Sequence, residues 1–391
     1  MIGGGFISEG GYGCTFHPEI TSTGKDGTDK FFLTKIQVND DSAKNEIYIG
    51  KQIFKKINKE DIDRHFAPVI STSDININQL DIVDKDKCTH IKKAQTNDFL
   101  LMKIKYVSGL SLDKHFIQQT NSASILRVYI YSFKHLLRSL KYLNECNIIH
   151  NDIKNSNIIY NINTNEPVLI DFGLSIPIDE VTNSNIRDFF YVYAPDYYYW
   201  SLEIHILNYS LHINENFNEE DLNNIVEAYI SDFIILNAFT KDFKHKYMEL
   251  CKNHAKKYLK FTQKELIKNI LSQWRTWDCY ALCCEFIKLI YILTRYEDNK
   301  IIKNEFTAFV LKILLNSIHP DPERRPSIDN LIKQFNIFIM EQKQENLEEI
   351  IESINKNKKR IDKELKKDSR KSTKLENSLN KNIVYLNNFD L

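Results

Sequence analysis

At 391 residues, 42% of them hydrophobic, the chain is long enough for one large or two ordinary domains and too apolar to be disordered. Lys plus Arg and Asp plus Glu stand at 52 each, so no global field selects nucleic acid or a membrane surface, and the apolar stretch at 280–293 is too short and interrupted to span a bilayer. Seven cysteines without a Cys-x-x-Cys pair argue against a zinc module or a disulfide framework and for a reducing, cytoplasmic setting.

Residues 6–36 alternate apolar residues with glycines and turn formers, which predicts twisted antiparallel strands. Over 42–57, Ile47, Ile49, Ile53, Phe54 and Ile57 fall near helical spacing, with Asp40, Asp41 or Ser42 available as cap. Residues 69–75 and 99–107 read as two more strands, separated by a polar surface excursion. Residues 1–105 therefore form a small β-rich lobe with one helix. From 106 to 340 the pattern turns helical, beginning with Leu126, Ile130, Phe133, Leu137, Leu140 and Leu143 on one amphipathic face. Short apolar runs at 158–160 and 168–170 flank a hairpin turn, and 202–339 is almost wholly helical in pattern. The tail, 341–391, is charged and Asn-rich and is expected to be helical or disordered. Leu347, Ile354, Ile361 and Leu375 repeat there at heptad spacing, but Asp368 shares their register, so a solvated helix fits as well as a coiled coil. The fold class expected is α+β and bilobal.

The chemistry concentrates in His150-Asn151-Asp152-Ile153-Lys154-Asn155-Ser156-Asn157, followed after the hairpin by Asp171-Phe172-Gly173. Phosphoryl transfer needs a carboxylate to orient the attacking hydroxyl, a cation for the transferring phosphate, and hard oxygen ligands for Mg²⁺. Asp152, Lys154, Asn157 and Asp171 supply these types in one register.

This pattern is similar to that of the eukaryotic-type protein kinases, and their remaining signatures follow in order. Ser8-Glu9-Gly10-Gly11-Tyr12-Gly13, with Thr15, resembles the glycine-rich loop over the ATP phosphates, although Ser8 and Thr15 depart from its usual glycine and valine. The resemblance implies that Lys35, after Leu33 and Thr34, holds the α- and β-phosphates and pairs with Glu46. It implies a hinge at 99–109, with Ile104 behind the nucleotide, backbone groups of Lys105 and Val107 on the adenine edge, Leu33 above the ring and Ile159 beneath it. Asp152, Lys154, Lys35 and Glu46 would then be catalytic, Asn157 and Asp171 would hold Mg²⁺ or, as the alternative, Mn²⁺, and ATP would be the phosphoryl donor. Glu203 and Arg325 would form a buried ion pair, with Ala194-Pro195-Asp196 as the rival alignment for the glutamate, and Asp278 would cap the catalytic-loop backbone.

The implied function is a serine/threonine protein kinase acting on protein hydroxyls, since tyrosine kinases usually carry arginine near Lys154. A catalytically weak pseudokinase scaffold is the rival. Asn151 replaces the arginine that usually receives an activation-loop phosphate, so phosphorylation at Thr182 or Ser184 is not expected to be required. Gly50 forfeits an apolar contact and weakens the helix carrying Glu46. Residues 208–270 read as a helical insertion, a candidate docking surface for a partner protein. The Gly10-Gly11-Tyr12-Gly13-Cys14 loop, the His-Asn-Asp triplet and the AT-biased composition resemble kinases of large DNA viruses, which implies the host cytoplasm or the virion.

Overall fold

A computed structural model describes residues 5–295 and 304–387, with side chains described as far as 371. Leu375 and the end of the tail therefore lie outside the described side chains. The small lobe contains β1 (Gly5–Glu9), β2 (Gly13–His17), β3 (Phe32–Val38), α1 (Asp41–Lys56), α2 (Lys59–His65), β4 (Val69–Asn76), a short α3 (Thr89–Lys93) and β5 (Asp98–Lys105). Its five strands form one antiparallel sheet in the order β1-β2-β3-β5-β4. Asp40 starts α1 by accepting the Ala43 amide at 2.9 Å, as an N-cap should.

Gly50 has a structural reason that the sequence reading lacked. A Cβ there would lie 2.5 Å from the Val69 carbonyl oxygen, so the missing side chain lets α1 lie directly on β4. The helix is tied to the sheet at this glycine, not loosened by it.

One expectation is overturned outright: Cys14 on β2 and Cys88, just before α3, are joined by a disulfide. They are 74 residues apart in sequence, and only the packing of the excursion against the sheet brings them together. The other five cysteines are free and buried.

The large lobe runs through β6 (Gly109–Ser111), α4 (Leu112–Gln118), α5 (Ser122–Glu145), β7 (Ile148–Ile149), β8 (Ile158–Asn161), β9 (Glu166–Leu169), β10 (Ile176–Pro177) and α6 (Ile186–Phe189). It continues with α7 (Leu202–His212), α8 (Glu219–Asp232), α9 (Lys241–Ala255), α10 (Gln263–Leu271), α11 (Trp277–Thr294), α12 (Glu305–Ser317) and α13 (Ile328–Met340). The stretch expected as an insertion begins inside α7 and holds α8 to α10. Capping boxes at Asn218/Asp221 and Thr262/Glu265 start α8 and α10. These helices turn Leu222, Tyr229, Tyr247, Cys251 and Ile270 into the lobe's core, and the Tyr247 hydroxyl donates to the Ile318 carbonyl at 2.7 Å.

The tail is neither a solvated helix nor a disordered segment over its described side chains. It forms α14 (Gln344–Asn387), whose Ile350, Ile354, Ile361 and Leu365 are buried against α4, α5, α11 and α12. Asp368, the apparent flaw in the heptad register, pairs at 3.0 Å with Lys288, which is buried in α11. Ser122 bonds Asn355, and Arg295 pairs with Glu364 at 3.1 Å.

Two buried histidines make the fold acid-sensitive. His205 is fully buried and donates its Nε2–H to the Trp200 carbonyl at 3.1 Å; burial lowers its pKa to about 4, and that of His65 to about 3. Their folded pKa values lie below the unfolded value, so stability is complete above about pH 6.5 and is lost as pH falls towards 4. His205 alone should cost about 2 kcal/mol at pH 5. Urea midpoints at pH 7 and 5 measure this, and the drop should shrink in His205→Gln; equal midpoints in the wild-type chain would refute it.

Candidate active site

The catalytic loop is pinned from below. Asp278, in the first turn of α11, accepts the backbone amides of His150 at 2.7 Å and Asn151 at 2.9 Å. Asn151 takes a left-handed φ of 62°, which Asn tolerates better than most residues, and its carbonyl accepts the Trp200 indole N–H at 3.0 Å. His150 is buried, bonds the Ile170 carbonyl at 3.1 Å and packs on Phe172.

That scaffold fixes Asp152. Its Oδ2 accepts from Lys154 Nζ at 2.8 Å and from Asn157 Nδ2 at 2.7 Å, while Oδ1 accepts the Tyr197 hydroxyl. One carboxylate is thus oriented by a cation, an amide and a phenol.

Across the cleft, β3 brings Lys35 to Glu46 of α1 at 2.7 Å and to Asp171 at 3.0 Å. Burial pushes the Asp171 carboxyl up, but the Lys35 charge beside it prevails and holds its pKa at about 2. For Lys35, burial favours the neutral amine, and the two carboxylates overcome this, so the ammonium is secured. The Ile170 amide bonds the Asn157 carbonyl at 3.0 Å, which ties Asp171 to the catalytic loop.

These residues fit a magnesium ion carried with a nucleotide. Asn157 commits its amide nitrogen to Asp152, which leaves its amide oxygen on the opposite side, and Asp171 adds a half-buried carboxylate. Among the described residues no three His, Cys, Asp or Glu side chains converge as a metal site. Two hard oxygens completed by phosphate oxygens and water is the donor set that Mg²⁺ takes at such sites.

The nucleotide-contact candidates fall on both walls of the cleft. The Gly10 amide closes the β1–β2 turn on the Gly13 carbonyl at 2.9 Å, with Gly11 between them. A Cβ on Gly13 would lie 2.3 Å from the Ile36 carbonyl oxygen, so that glycine is required by the close approach of β3. Ser8 and Thr15 face each other across the strands, their hydroxyls 2.7 Å apart, which accounts for both departures from the usual loop as a single pair. Leu33 and Ile104 are register partners, and with Val107 they belong to one apolar cluster. Lys105 turns its side chain away to Asp63 at 2.6 Å, leaving only its backbone for the cleft, and Ile159 sits in β8 opposite Val168.

Several residues were not legible as site residues. Tyr12, at the loop tip, packs beside Gly173, and burial raises the pKa of its phenol, with Asp152 and Asp171 adding to the shift. Tyr197 reaches Asp152, and Tyr199 bonds Glu285, which with Lys288 and Asp368 forms a buried chain of charges reaching to the tail. The run of tyrosines at 191–199 was visible in the sequence, but no spacing distinguished which of them face the site.

Below the site, Glu203 and Arg325 form a two-bond pair at 2.6 and 3.0 Å, fully buried, with the Trp277 indole on Glu203 at 3.0 Å. Burial pushes the Glu203 pKa up, but Arg325 outweighs it and holds the carboxyl below the ordinary range.

The family model described as protein kinase domain matches residues 41–336. The match begins after the glycine-rich turn and Lys35, so those residues rest on geometry. Over 75 residues the chain is 37% identical to the probable serine/threonine-protein kinase cdc7 of Dictyostelium discoideum, a stretch that covers 19% of this chain and 6% of that protein.

Proposed function

The chain belongs to the protein kinase domain family, and from that premise we propose that it is a serine/threonine kinase that transfers the γ-phosphoryl group of Mg-ATP to Ser and Thr hydroxyls of proteins. The observation that carries this reading is the Asp152 carboxylate, held by Lys154 and Asn157, facing a Lys35–Asp171 pair already charged and in place.

Lys35 would hold the α- and β-phosphates, and Glu46 would keep its ammonium aimed at them. Asp152 orients the acceptor hydroxyl and takes its proton, while Lys154 steadies the transferring group. Asn157 and Asp171 would hold Mg²⁺ or Mn²⁺, which when bound neutralises phosphate charge. Ser8, Gly10, Gly11, Gly13 and Thr15 cover the phosphates; Leu33, Ile104, Lys105, Val107 and Ile159 enclose the base. Most of the rate enhancement expected of such a site comes from positioning and charge stabilisation. Lys154 and the partial relative's name support Ser/Thr acceptors.

Full activity does not require phosphorylation of the activation segment. That segment is already held by hydrogen bonds that need no phosphate: Asn45 to the Ser175 carbonyl at 2.8 Å, Tyr48 to Glu180 at 2.8 Å, and Thr182 to Asn185. Likeness to kinases of large DNA viruses, carried by the Gly10–Cys14 loop and Asn151, would set the work in the host cytoplasm or the virion. No helix among the described residues is long and apolar enough to cross a membrane.

The scaffold reading has support from Tyr12 beside Gly173 and from the Tyr197 hydroxyl on Asp152. One assay separates the two readings. Purified chain with radiolabelled ATP and generic acceptor proteins should yield phosphoserine and phosphothreonine, Asp171→Ala should be inactive, and Thr182→Ala/Ser184→Ala should stay within about twofold of wild type. No incorporation by the wild type supports the scaffold. A large loss in the double alanine variant removes the claim of independence from loop phosphorylation.

A further inference from the structure

The outward face of α5 is unusual in charge. This 24-residue helix carries Arg127, Lys134, Arg138 and Lys141 against a single acidic residue, Glu145 in its last turn. Lys141 is neutralised by Asp329 at 2.6 Å and lies near Glu145. Arg127, Lys134 and Arg138 have no ion-pair partner among the described residues, in a chain whose positive and negative side chains balance. A solvated helix ordinarily offsets such charges with acids three or four residues away.

These three cations line a groove of about 640 Å³ between α4, α5 and the turn joining β8 to β9. Its floor is a stacked pair, His115 on Tyr160 at 3.9 Å, and Tyr131 stands 61% exposed at its edge. Glu166 is the acid of the groove, and it is taken by Arg64. Burial lowers the pKa of His135, so its ring adds no charge at neutral pH.

We propose that this groove is a docking site for an extended acidic peptide segment, a second hold on protein substrates away from the reacting atoms. That purpose rests on the protein-kinase reading; the binding itself does not. Along the helix, Arg127 and Lys134 lie about 10.5 Å apart and Lys134 and Arg138 about 6 Å apart. An extended chain advances about 3.3 Å per residue and turns alternate side chains to opposite faces, so acids at positions i, i+4 and i+6 share one face, at about 13 and 6.6 Å, within reach of the three long cationic side chains. The aromatic floor accepts the apolar side chains between them. A balanced net charge provides no wide field to gather a polyanion, which favours a short acidic peptide over nucleic acid.

The test uses the full chain and a fluorescein-labelled ten-residue peptide with glutamates in that spacing, its glutamine analogue, and a twelve-residue oligothymidylate, read by fluorescence anisotropy. The glutamate peptide should bind saturably, weaken with added salt, and lose affinity by about tenfold or more in Arg127→Ala/Lys134→Ala/Arg138→Ala, while the glutamine analogue should not bind. Arg127 and Arg138 are exposed and Lys134 is partly so, and an unchanged melting temperature verifies that the variant is folded. No saturable binding up to about 1 mM, or equal binding by the triple variant, overturns the proposal. So does tighter, groove-dependent binding of the oligonucleotide. Peptide binding without ATP turnover keeps the docking site and removes the kinase reading; turnover with no peptide binding does the reverse.

Discussion

Asp152→Asn is expected to lower turnover by about 10²-fold or more and to leave ATP affinity nearly unchanged. The substitution preserves shape. An asparagine oxygen can still accept from Lys154 and Asn157, and its amide group can donate to the Tyr197 oxygen, which can accept as well as donate. The loop beneath is held by Asp278 and Trp200, neither of which depends on the Asp152 side chain. What disappears is the negative charge and the basic lone pair that, in the proposed mechanism, orient the acceptor hydroxyl. The nucleotide is expected to be held by Lys35 and Asp171 on the far wall, so calorimetric ATP binding should persist. Unchanged turnover would remove Asp152 from the mechanism. Loss of ATP binding together with turnover would show that the residue acts through folding.

Arg325→Met should destabilise the fold by about 3 to 5 kcal/mol. The guanidinium and the Glu203 carboxylate are almost completely buried, and the pair is completed by the His319 carbonyl on Arg325 Nε at 2.8 Å. Removing the cation leaves a buried carboxylate with no opposite charge, held by neutral donors such as the Trp277 indole. Folding would then have to protonate Glu203, reversing the depressed pKa that Arg325 now maintains. The double variant Glu203→Gln/Arg325→Met should recover much of the loss, since neither side then carries an unmatched charge. Urea unfolding of the three chains measures this. A single-variant cost below about 1 kcal/mol would place the pair among the weak, solvent-screened kind.

Both experiments depend on residues whose pattern was readable before any coordinates. Asp152, Lys154, Asn157 and Asp171 were readable because their types and spacing sit in one short stretch, although their geometry is set by Asp278, Trp200 and Tyr197 from farther along the chain. The strands at 69–75 and 99–107 became β4 and β5 within two residues at each end, and β5 carries the short continuous apolar run, Phe99 to Met102, that marks a strand buried on both faces. The residues that were missed act across the chain. Cys88 meets Cys14 only when the excursion folds onto the sheet, and nothing in the spacing of seven cysteines reveals it. Gly50 read as a defect because its partner, the Val69 carbonyl, belongs to another element. Tyr197 was one tyrosine among several until the segment's path aimed it at Asp152. Asp368 broke a heptad that serves no coiled coil, because its register is set by Lys288.

The last helix shifts where the interior of this molecule ends. The family match stops at residue 336, yet Ile350, Ile354, Ile361 and Leu365 are as inaccessible to water as residues in the middle of α11. Lys288 is flanked by Glu285 from its own helix and by Asp368 from the tail, and Glu285 also receives the Tyr199 hydroxyl from the segment leading to Glu203. The buried ion cluster at the centre of the large lobe, two carboxylates around one ammonium, therefore includes a stretch that the domain boundary would discard. What reads as an appendage along the chain is, in dielectric terms, part of the same solvent-free volume as the core beneath the proposed catalytic residues.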